Sequence, residues 1–313
     1  MFEAGKWWGR QGGNCKAIPA LAVVSAEIRR ISALQYSHME LFLESFLYPA
    51  YATILGLIIG SFLNVFLYRF HTGKSLNGSS HCLSCRVRLY WYELVPLVSY
   101  IVLLGRCRTC SSYIPSRYFL VEILTGLAFW LAATSPFPIL LQAIIAIFFS
   151  VLILILIYDL AHTIIPDEFV LALVGLAFLQ ISYQVYFGGT IWDFGFALLS
   201  GLAAAGPFVF LWVISQGRWI GLGDAKLAFP LGMMVGLYGV VSLVILSFWL
   251  GAAISLILIG IQKLLKRGQI DLRITGRALT MKSEIPFAPF LILAFLAVFL
   301  LHIDAVSLLS YVI

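Results

Sequence analysis

Two aspartates, Asp159 and Asp224, lie where long apolar segments meet polar loops. An ionisable side chain at membrane depth is costly and usually persists only where it has a function. Two such carboxylates at equivalent depth can divide acid and base roles, because neighbouring carboxylates resist being ionised together. The pair therefore predicts acid–base chemistry carried out by two aspartates that share one proton.

Structural roles remain open for three of the acidic residues. Asp167 directly follows Pro166, so helix capping is its default interpretation. Asp159 ends a long apolar run without a helix-start pattern, and its alternative role is an ordinary solvated helix end. Glu122 lies within an apolar segment without an obvious partner, and we favour a functional group over a structural acid there.

The segment before Asp224 is rich in glycine. Gly221 and Gly223 allow the backbone to turn tightly and to approach a substrate closely. Asp224 is also a candidate N-cap for a helix that begins near Ala225. Lys226 is expected either to tune the charge of Asp224 or to extend to the membrane surface.

Four cysteines form two knuckles, Cys82-x-x-Cys85 and Cys107-x-x-Cys110, with 21 residues between them. This spacing is typical of a structural, four-thiolate zinc site, which has no open position for a catalytic water. Two disulfides or an unmetallated packing role are the alternatives, although a cytoplasmic loop is reducing. Cys15 stands apart from the knuckles and is interpreted as an accidental or structural thiol.

Arginines and aromatic residues surround the knuckles. Together they indicate either anchoring at the membrane surface or a platform that docks a cofactor or substrate. The residues are Arg86, Arg88, Tyr90, Trp91, Tyr92, Arg106, Arg108, Tyr113, Arg117 and Tyr118.

The composition is that of a polytopic membrane protein. Hydrophobic residues make up 62% of the 313 residues and charged residues only 11%, against about 25% in soluble domains. We predict an all-α integral membrane protein with about eight transmembrane helices. The unbroken apolar run 227–262 is nearly twice as long as one crossing needs, so we divide it near Leu237-Tyr238-Gly239. The predicted spans are 46–68, 118–134, 138–158, 168–187, 191–214, 227–240, 241–262 and 286–303.

The basic residues sort by loop, so the net charge of +6 does not indicate nucleic-acid binding. Between Arg69 and Arg117 the chain has seven Lys or Arg and one acid, and between Lys263 and Lys282 six and one. The positive-inside rule places both loops in the cytoplasm, and with them both aspartates. Residues 1–38 are basic where this topology requires the outside. We therefore expect them to be disordered or untranslated, with translation starting at Met39.

Several motifs together resemble the type IV prepilin peptidase family of aspartic membrane proteases. The resemblance covers nearly all of Met39–Ile313 and rests on motifs from one end of that range to the other. These motifs are Gly60-Ser61-Phe62-Leu63-Asn64, the two cysteine knuckles with Trp91-Tyr92-Glu93-Leu94-Val95-Pro96 between them, Arg117-Tyr118…Glu122, Asp159…Ile165-Pro166-Asp167, and Gly221-x-Gly223-Asp224-x-Lys226. Leu83 and Phe119 stand where the family commonly has proline.

The resemblance implies a division into domains and a set of functional residues. Residues 39–68 would be the first transmembrane helix, 69–117 a cytoplasmic four-cysteine domain, and 118–313 a seven-helix peptidase domain. Asp159 and Asp224 would be the catalytic dyad, supported by Asp167, Gly221, Gly223 and Lys226.

The resemblance also implies the reaction and its setting. The enzyme would cleave prepilins and pseudopilins at the cytoplasmic face of the bacterial inner membrane. It would then methylate the new N-terminus with S-adenosylmethionine, a function that the resemblance assigns to the cysteine loop. No glycine fingerprint of a nucleotide fold accompanies this expectation. A proton-coupled transporter and a zinc-loop scaffold without chemistry are the alternatives.

Overall fold

The computed structural model describes residues 43–70, 72, 78–267, 273–274, 277–278 and 286–304. The described residues from Pro49 onward belong to one compact unit, and the chain divides between Tyr48 and Pro49. The expectation for residues 1–38 lies outside the described part of the chain.

Helices make up most of the described structure, with a single π-helical turn at Leu43–Leu47 and a 3₁₀ turn at Trp91–Leu94. The α-helices are α1 (Tyr48–Arg69), α2 (Val98–Val102), α3 (Arg117–Ala133), α4 (Ile139–His162), α5 (Asp167–Tyr186), α6 (Trp192–Ser215), α7 (Leu222–Arg267) and α8 (Ala288–Leu301). Two short antiparallel strands, β1 (Arg273–Ile274) and β2 (Arg277–Ala278), pair with each other.

The helices confirm a helical membrane protein with a cysteine loop between its first two long helices. Five stretches are long and apolar enough to cross a bilayer: Ser45–Arg69, Ile139–His162, Asp167–Tyr186, Trp192–Ser215 and Leu222–Ile261. Helix α3, with 17 residues, and α8, with 14, are shorter. Each of the predicted spans overlaps one of these helices.

The longest apolar run divides near the predicted place. Helix α7 begins at Leu222 and contains one residue with non-helical torsion angles, Gly236 (φ 69°, ψ 174°). A residue other than glycine rarely adopts this combination of angles. The break therefore lies at Gly236, directly before the predicted Leu237-Tyr238-Gly239, because the backbone turns where a side chain would be strained.

Small residues allow close helix packing. A methyl group at Gly232 of α7 would lie 2.6 Å from the carbonyl oxygen of Ser200 in α6. A methyl group at Gly60 of α1 would lie 2.9 Å from the Cα of Glu122 in α3. Such contacts are typical of membrane helices, which gain stability from packing rather than from a hydrophobic effect. The core between α4 and α8 includes the fully buried rings of Phe148 and Phe295, whose centroids are 5.7 Å apart.

Candidate active site and metal centre

Asp159 lies in the last turn of α4. Its side chain is only 4% exposed, which argues against an ordinary solvated helix end. The helix ends at His162 because Thr163 adopts a left-handed conformation (φ 55°), and its N–H donates to the carbonyl oxygen of Asp159. The burial of a carboxylate at this position is costly, and it requires compensation from nearby polar groups.

Part of that compensation comes from the start of helix α8. The carboxylate of Asp159 accepts a hydrogen bond from the backbone N–H of Ala288, the first residue of α8. A helix N-terminus offers free N–H groups and a favourable dipole to an anion. The other oxygen, Oδ2, is buried and has no hydrogen-bond partner within the described structure. Asp159 therefore accepts one hydrogen bond from α8, and its buried Oδ2 has none among the described residues.

Asp224 lies in the first turn of α7 and is also buried, with 9% of its surface exposed. The helix begins at Leu222, earlier than the predicted start near Ala225. Asp224 is therefore not the N-cap residue; its carboxylate reaches back to accept a hydrogen bond from the N–H of Gly221. The negative charge of Asp159 acts directly on Asp224. The two carboxylates thus lie at the same end of the helix bundle and interact electrostatically.

Gly223 allows the two aspartate-bearing segments to approach closely. A methyl group at this position would lie 3.2 Å from Cβ of Ile165, in the segment that joins α4 to α5. Gly221 has a different neighbour, because a methyl group there would lie 3.5 Å from Oδ2 of Asp224. The two glycines therefore have different roles. Gly223 allows the contact with the segment that contains Ile165, and Gly221 leaves space beside the carboxylate of Asp224.

Asp167 and Lys226 form an ion pair at the rim of this site. Lys226 Nζ donates a hydrogen bond to Oδ1 of Asp167 over a distance of 2.7 Å. Helix α5 begins at Asp167, and Pro166 rather than Asp167 occupies its N-cap position. Lys226 thus pairs with Asp167, whereas the sequence suggested an influence of Lys226 on Asp224 or an extension to the membrane surface.

Glu122 has structural partners. It is 9% exposed, and its Oε2 accepts a 2.8 Å hydrogen bond from the backbone N–H of Leu97. The Ser61 side chain donates a second hydrogen bond to it. Leu97 precedes α2 and has a positive φ of 59°. Glu122 therefore connects the cysteine loop to helices α1 and α3, and these contacts favour a structural role over the functional one that the sequence suggested.

The two cysteine knuckles repeat one geometry. Isolated β-bridges pair His81 with Arg88 in the first knuckle and Arg106 with Tyr113 in the second. The residue after each second cysteine, Arg86 or Ser111, has a positive φ. The backbone hydrogen bonds also correspond, with Cys82 N–H donating to Val87 and Cys107 N–H to Ser112. The loop is therefore a pair of equivalent turns that bring their thiols together.

The thiol geometry fits a tetrahedral metal ion. The four Sγ atoms of Cys82, Cys85, Cys107 and Cys110 all lie within 4.8 Å of one another, and the cysteines are free. The Sγ atoms of Cys82 and Cys110 are 3.8 Å apart. Zinc bound tetrahedrally at about 2.3 Å from each sulfur would place neighbouring sulfurs about 3.8 Å apart. The cluster can hold a metal ion, and its thiolate donors suit Zn²⁺.

The surroundings of the cysteines shift the pKa values of three of the four thiols. Hydrogen bonds from the backbone N–H groups of Cys85 and Ser84 lower the pKa of Cys82 to about 6. A hydrogen bond with Ser112 lowers the pKa of Cys110. The backbone of Val87 lowers the pKa of Cys85, but burial and the adjacent Cys82 outweigh it and raise that pKa to about 11. Neighbouring thiolates repel one another, and a divalent cation would relieve that repulsion.

Some contributors to the site are backbone groups that the sequence analysis missed. The N–H of Ala288 has no side-chain signature, although Pro289 marks the start of α8. The N–H of Leu97 and the side chain of Ser61 were likewise not singled out as partners of Glu122. Asn64, also in the opening motif, is buried and donates a 3.0 Å hydrogen bond to the carbonyl oxygen of Tyr118.

Comparison with known proteins gives a consistent set of matches. Residues 54–135 match the family model described as Bacterial Peptidase A24 N-terminal domain, and residues 146–256 match Type IV leader peptidase family. No solved structure is significantly similar.

Curated relatives carry related names. The chain is 29% identical over 222 residues to a "Prepilin leader peptidase/N-methyltransferase" of Myxococcus xanthus, an alignment that covers 68% of this chain and 64% of the relative. It is 32% identical to a "Type 4 prepilin-like proteins leader peptide-processing enzyme" of Escherichia coli O78:H11, covering 60% of this chain and 77% of that protein. A "Prepilin leader peptidase/N-methyltransferase" of Klebsiella pneumoniae is 31% identical, with coverages of 56% and 86%.

Proposed function

Because the chain belongs to the type IV leader peptidase family, we propose that it cleaves the leader peptide of type IV prepilins and pseudopilins and then N-methylates the new N-terminal residue. The observation that carries this proposal is the pair of buried carboxylates, Asp159 and Asp224, which interact electrostatically at one end of the bundle. Family membership disfavours the transporter and scaffold alternatives.

Asp159 and Asp224 act as a catalytic dyad that shares one proton. The ionised member removes a proton from a water molecule, and the resulting hydroxide attacks the scissile carbonyl carbon. The protonated member donates its proton to the carbonyl oxygen, and a proton later passes to the leaving amine. The N–H groups of Ala288 and Gly221 each hold one of the carboxylates in position.

The substrate lies with its apolar helix in the bilayer and its short, basic leader in the cytoplasm. The basic residues of the two flanking loops support a position of both aspartates at the cytoplasmic face of the bacterial inner membrane. Since those loops are themselves positive, they do not attract a basic leader. Binding therefore depends mainly on membrane orientation and on the apolar segment of the substrate.

The cysteine loop serves the second reaction. Cys82, Cys85, Cys107 and Cys110 hold a structural Zn²⁺, which orders a loop too small to build a core of its own. S-adenosylmethionine, when bound, supplies the methyl group: its carbon–sulfur bond breaks as the carbon–nitrogen bond forms, the sulfonium becomes a thioether, and the amine loses a proton. This loop is the domain that residues 69–117 form in the proposed organisation.

The proposal is tested with purified protein in detergent. A full-length prepilin is incubated with the enzyme, with and without S-adenosylmethionine, and the products are weighed by mass spectrometry. We expect a mature pilin in both samples and an added methyl group only with the methyl donor. Absence of cleavage under every condition would refute the proposed function.

The dyad is tested by substitution in the same assay. Asp159→Asn and Asp224→Asn should each reduce cleavage by at least about 1,000-fold while the protein remains inserted in the membrane. Asp167→Asn is the matched control, because Asp167 lies at the same face but is exposed. Substantial cleavage by either of the first two variants would exclude that aspartate from the dyad.

A further inference from the structure

A cavity of about 270 Å³ lies at the end of the helix bundle opposite to the catalytic aspartates. Its walls come from the last turns of α5, the first turns of α6 and the break in α7. Helix α5 runs from Asp167, at the rim of the aspartate site, to this cavity. A water molecule occupies about 30 Å³ in the liquid, so the cavity can hold an ion together with several waters. Its polar lining residues are Gln180, Gln184, Asp193 and Ser200.

Gln180 presents a buried oxygen that no group in the described structure satisfies. Its side chain is 7% exposed, and its Oε1 has no hydrogen-bond partner among the described residues. An amide oxygen buried without a partner is costly, because it loses the hydrogen bonds that water gives it. Since Gln180 lines the cavity, an occupant that binds this oxygen would remove the cost.

Asp193 supplies a negative charge to the cavity. Its Oδ2 accepts a 2.7 Å hydrogen bond from the N–H of Thr190, and its Oδ1 accepts one of 3.2 Å from the hydroxyl of the same residue. These bonds hold the carboxylate in position but do not saturate it, because a carboxylate has about four acceptor sites. The hydroxyl of Ser200 donates to the carbonyl oxygen of Phe196, so its own oxygen can still accept.

The break in α7 adds a second negative contribution. Residues 222–235 form a helix that is interrupted at Gly236, whose torsion angles are φ 69° and ψ 174°. A helix directs its last carbonyl oxygens and the negative end of its dipole toward its C-terminus. Met233, Met234 and Val235, which form that last turn, line the cavity. In broken membrane helices such ends coordinate cations.

The described segments at this end provide no lysine or arginine to balance these groups. The turns 134–138, 187–191 and 237–240 contain neither residue type, and nor do the described residues after α8. Asp304, which follows α8, adds a second carboxylate at this end and accepts a 2.8 Å hydrogen bond from Ser242. The electrostatic potential of this end therefore favours a cation.

We propose that this cavity binds a divalent cation of the Ca²⁺ type. The available ligands are an amide oxygen, a carboxylate, a hydroxyl and backbone carbonyls, and Ca²⁺ accepts all of these in irregular geometry. Mg²⁺ requires nearly ideal octahedral geometry and gives up its water reluctantly, so it fits less well. With one carboxylate among the ligands, the Kd is on the order of 1 mM. The ion joins α5 and α6 to the break in α7.

The experiment measures the thermal midpoint of the purified full-length protein in detergent. A cation that binds only the folded state stabilises it by mass action, so about 10 mM CaCl₂ should raise the midpoint by about 3–5 °C. The same concentration of MgCl₂ should raise it by less than about 1 °C, with ionic strength matched by NaCl. An equal effect of both salts would mean that the ions act by screening, and would overturn the proposal.

Substitutions locate the effect. Gln180→Leu and Asp193→Asn each remove one ligand and should abolish the rise in midpoint with Ca²⁺, whatever their effect on stability without the ion. Asp304→Asn is the matched control, because it removes a carboxylate at the same end that does not line the cavity. It should keep the full rise. An equal rise in all three variants would place the ion elsewhere and overturn the assignment.

Direct binding is measured with Tb³⁺, a luminescent substitute for Ca²⁺ that is excited through aromatic side chains. We expect Ca²⁺ to compete with Tb³⁺, and the affinity for Tb³⁺ to fall about tenfold or more in Gln180→Leu and Asp193→Asn. Asp304→Asn should change it by less than about twofold. If wild-type protein cleaves prepilin but shows neither competition nor a rise in midpoint, the cavity holds water only. The cation site is then refuted, whereas the proposed peptidase function stands.

Discussion

Lys226 and Asp167 are joined by a 2.7 Å contact between Nζ and Oδ1, although 59 positions separate them in the chain. Lys226 follows Asp224 in the first turns of α7, and Asp167 begins α5 just after the segment that leaves Asp159. The ion pair therefore connects the two aspartate-bearing segments at their exposed rim. Its side chains are 42% and 64% exposed, so solvent screens the attraction.

Because the Asp167–Lys226 ion pair is exposed, we expect it to contribute little to the stability of the fold and mainly to position the two aspartate-bearing segments. We expect Asp167→Asn and Lys226→Met each to lower kcat/KM for prepilin cleavage by less than about tenfold, because an exposed pair contributes about 0–1 kcal/mol. A double-mutant cycle on cleavage rates measures the coupling between them. The control is Arg218→Gln, which removes an exposed cation from the loop that precedes α7. A loss as large as that of Asp224→Asn would mean that Asp167 takes part in the chemistry.

Gly223 provides a sharper test, because the space beside it is already filled. Gly223→Ala places a methyl group 3.2 Å from Cβ of Ile165, so one of the two segments must shift by a few tenths of an ångström. We expect cleavage to fall about tenfold, and further for Gly223→Val, since small misplacements of reacting groups are costly. Rates are measured with enzyme normalised by its folded fraction in detergent.

Gly175→Ala is the matched control for this substitution. Gly175 lies within α5, and a methyl group there would have no atom within 4 Å. That variant should cleave at the wild-type rate and be at least as stable, because alanine is the better helix former. If Gly223→Ala cleaved as fast as Gly175→Ala, the close approach of Ile165 would not explain the need for glycine at position 223.

Side-chain patterns identified much of this structure in advance. The apolar runs marked the helices, and the spacing of Cys82, Cys85, Cys107 and Cys110 marked a cluster whose sulfurs lie together. An apolar helix is a local feature of the sequence. A pair of Cys-x-x-Cys motifs is distinctive because this spacing of cysteines has few other uses. The assignment of Asp159 and Asp224 as the dyad is a prediction that now has a compatible geometry.

The missed features depend on backbone groups and on distant partners. Every residue except proline has an N–H, so nothing in the sequence distinguishes the donor at Ala288 or at Leu97. The sequence did not indicate Asp167 as the partner of Lys226, because Asp167 is 59 positions away in the chain and near only in space. The break in α7 was inferred from the length of the apolar run. Length shows that the run must be divided, but it does not identify Gly236 as the residue at the break.

Glu122 should prove to be structural. Glu122→Ala leaves the buried N–H of Leu97 without its acceptor, at a cost of about 1–3 kcal/mol. We therefore expect a lower thermal midpoint in detergent and faster trypsin cleavage within the cysteine loop. Glu122→Gln keeps an acceptor oxygen and should behave much closer to wild type. Equal loss of peptidase activity in both variants, with the thermal midpoint unchanged, would instead assign Glu122 a chemical role.

Removing the metal should separate the two reactions. Among the described residues, the hydrogen bonds to Asp159 and Asp224 come from Ala288 and Gly221, and the cysteine loop contributes none. We expect one zinc ion per chain in the wild-type protein, and none in Cys82→Ser or Cys107→Ser, because three thiolates hold the ion too weakly to survive purification. Methylation should then fall at least tenfold further than leader cleavage.

Ser84→Ala is the control for these cysteine variants, since Ser84 lies between Cys82 and Cys85 but supplies no thiol. It should retain zinc and both activities. Zinc is measured by inductively coupled plasma mass spectrometry, and the two activities are read from the masses of the pilin products. Trypsin should cleave the metal-free variants in the loop at Arg86, Arg88, Arg106 or Arg108, all of which are exposed. If cleavage and methylation fell together, the loop would have to contribute to the peptidase site in the enzyme–substrate complex.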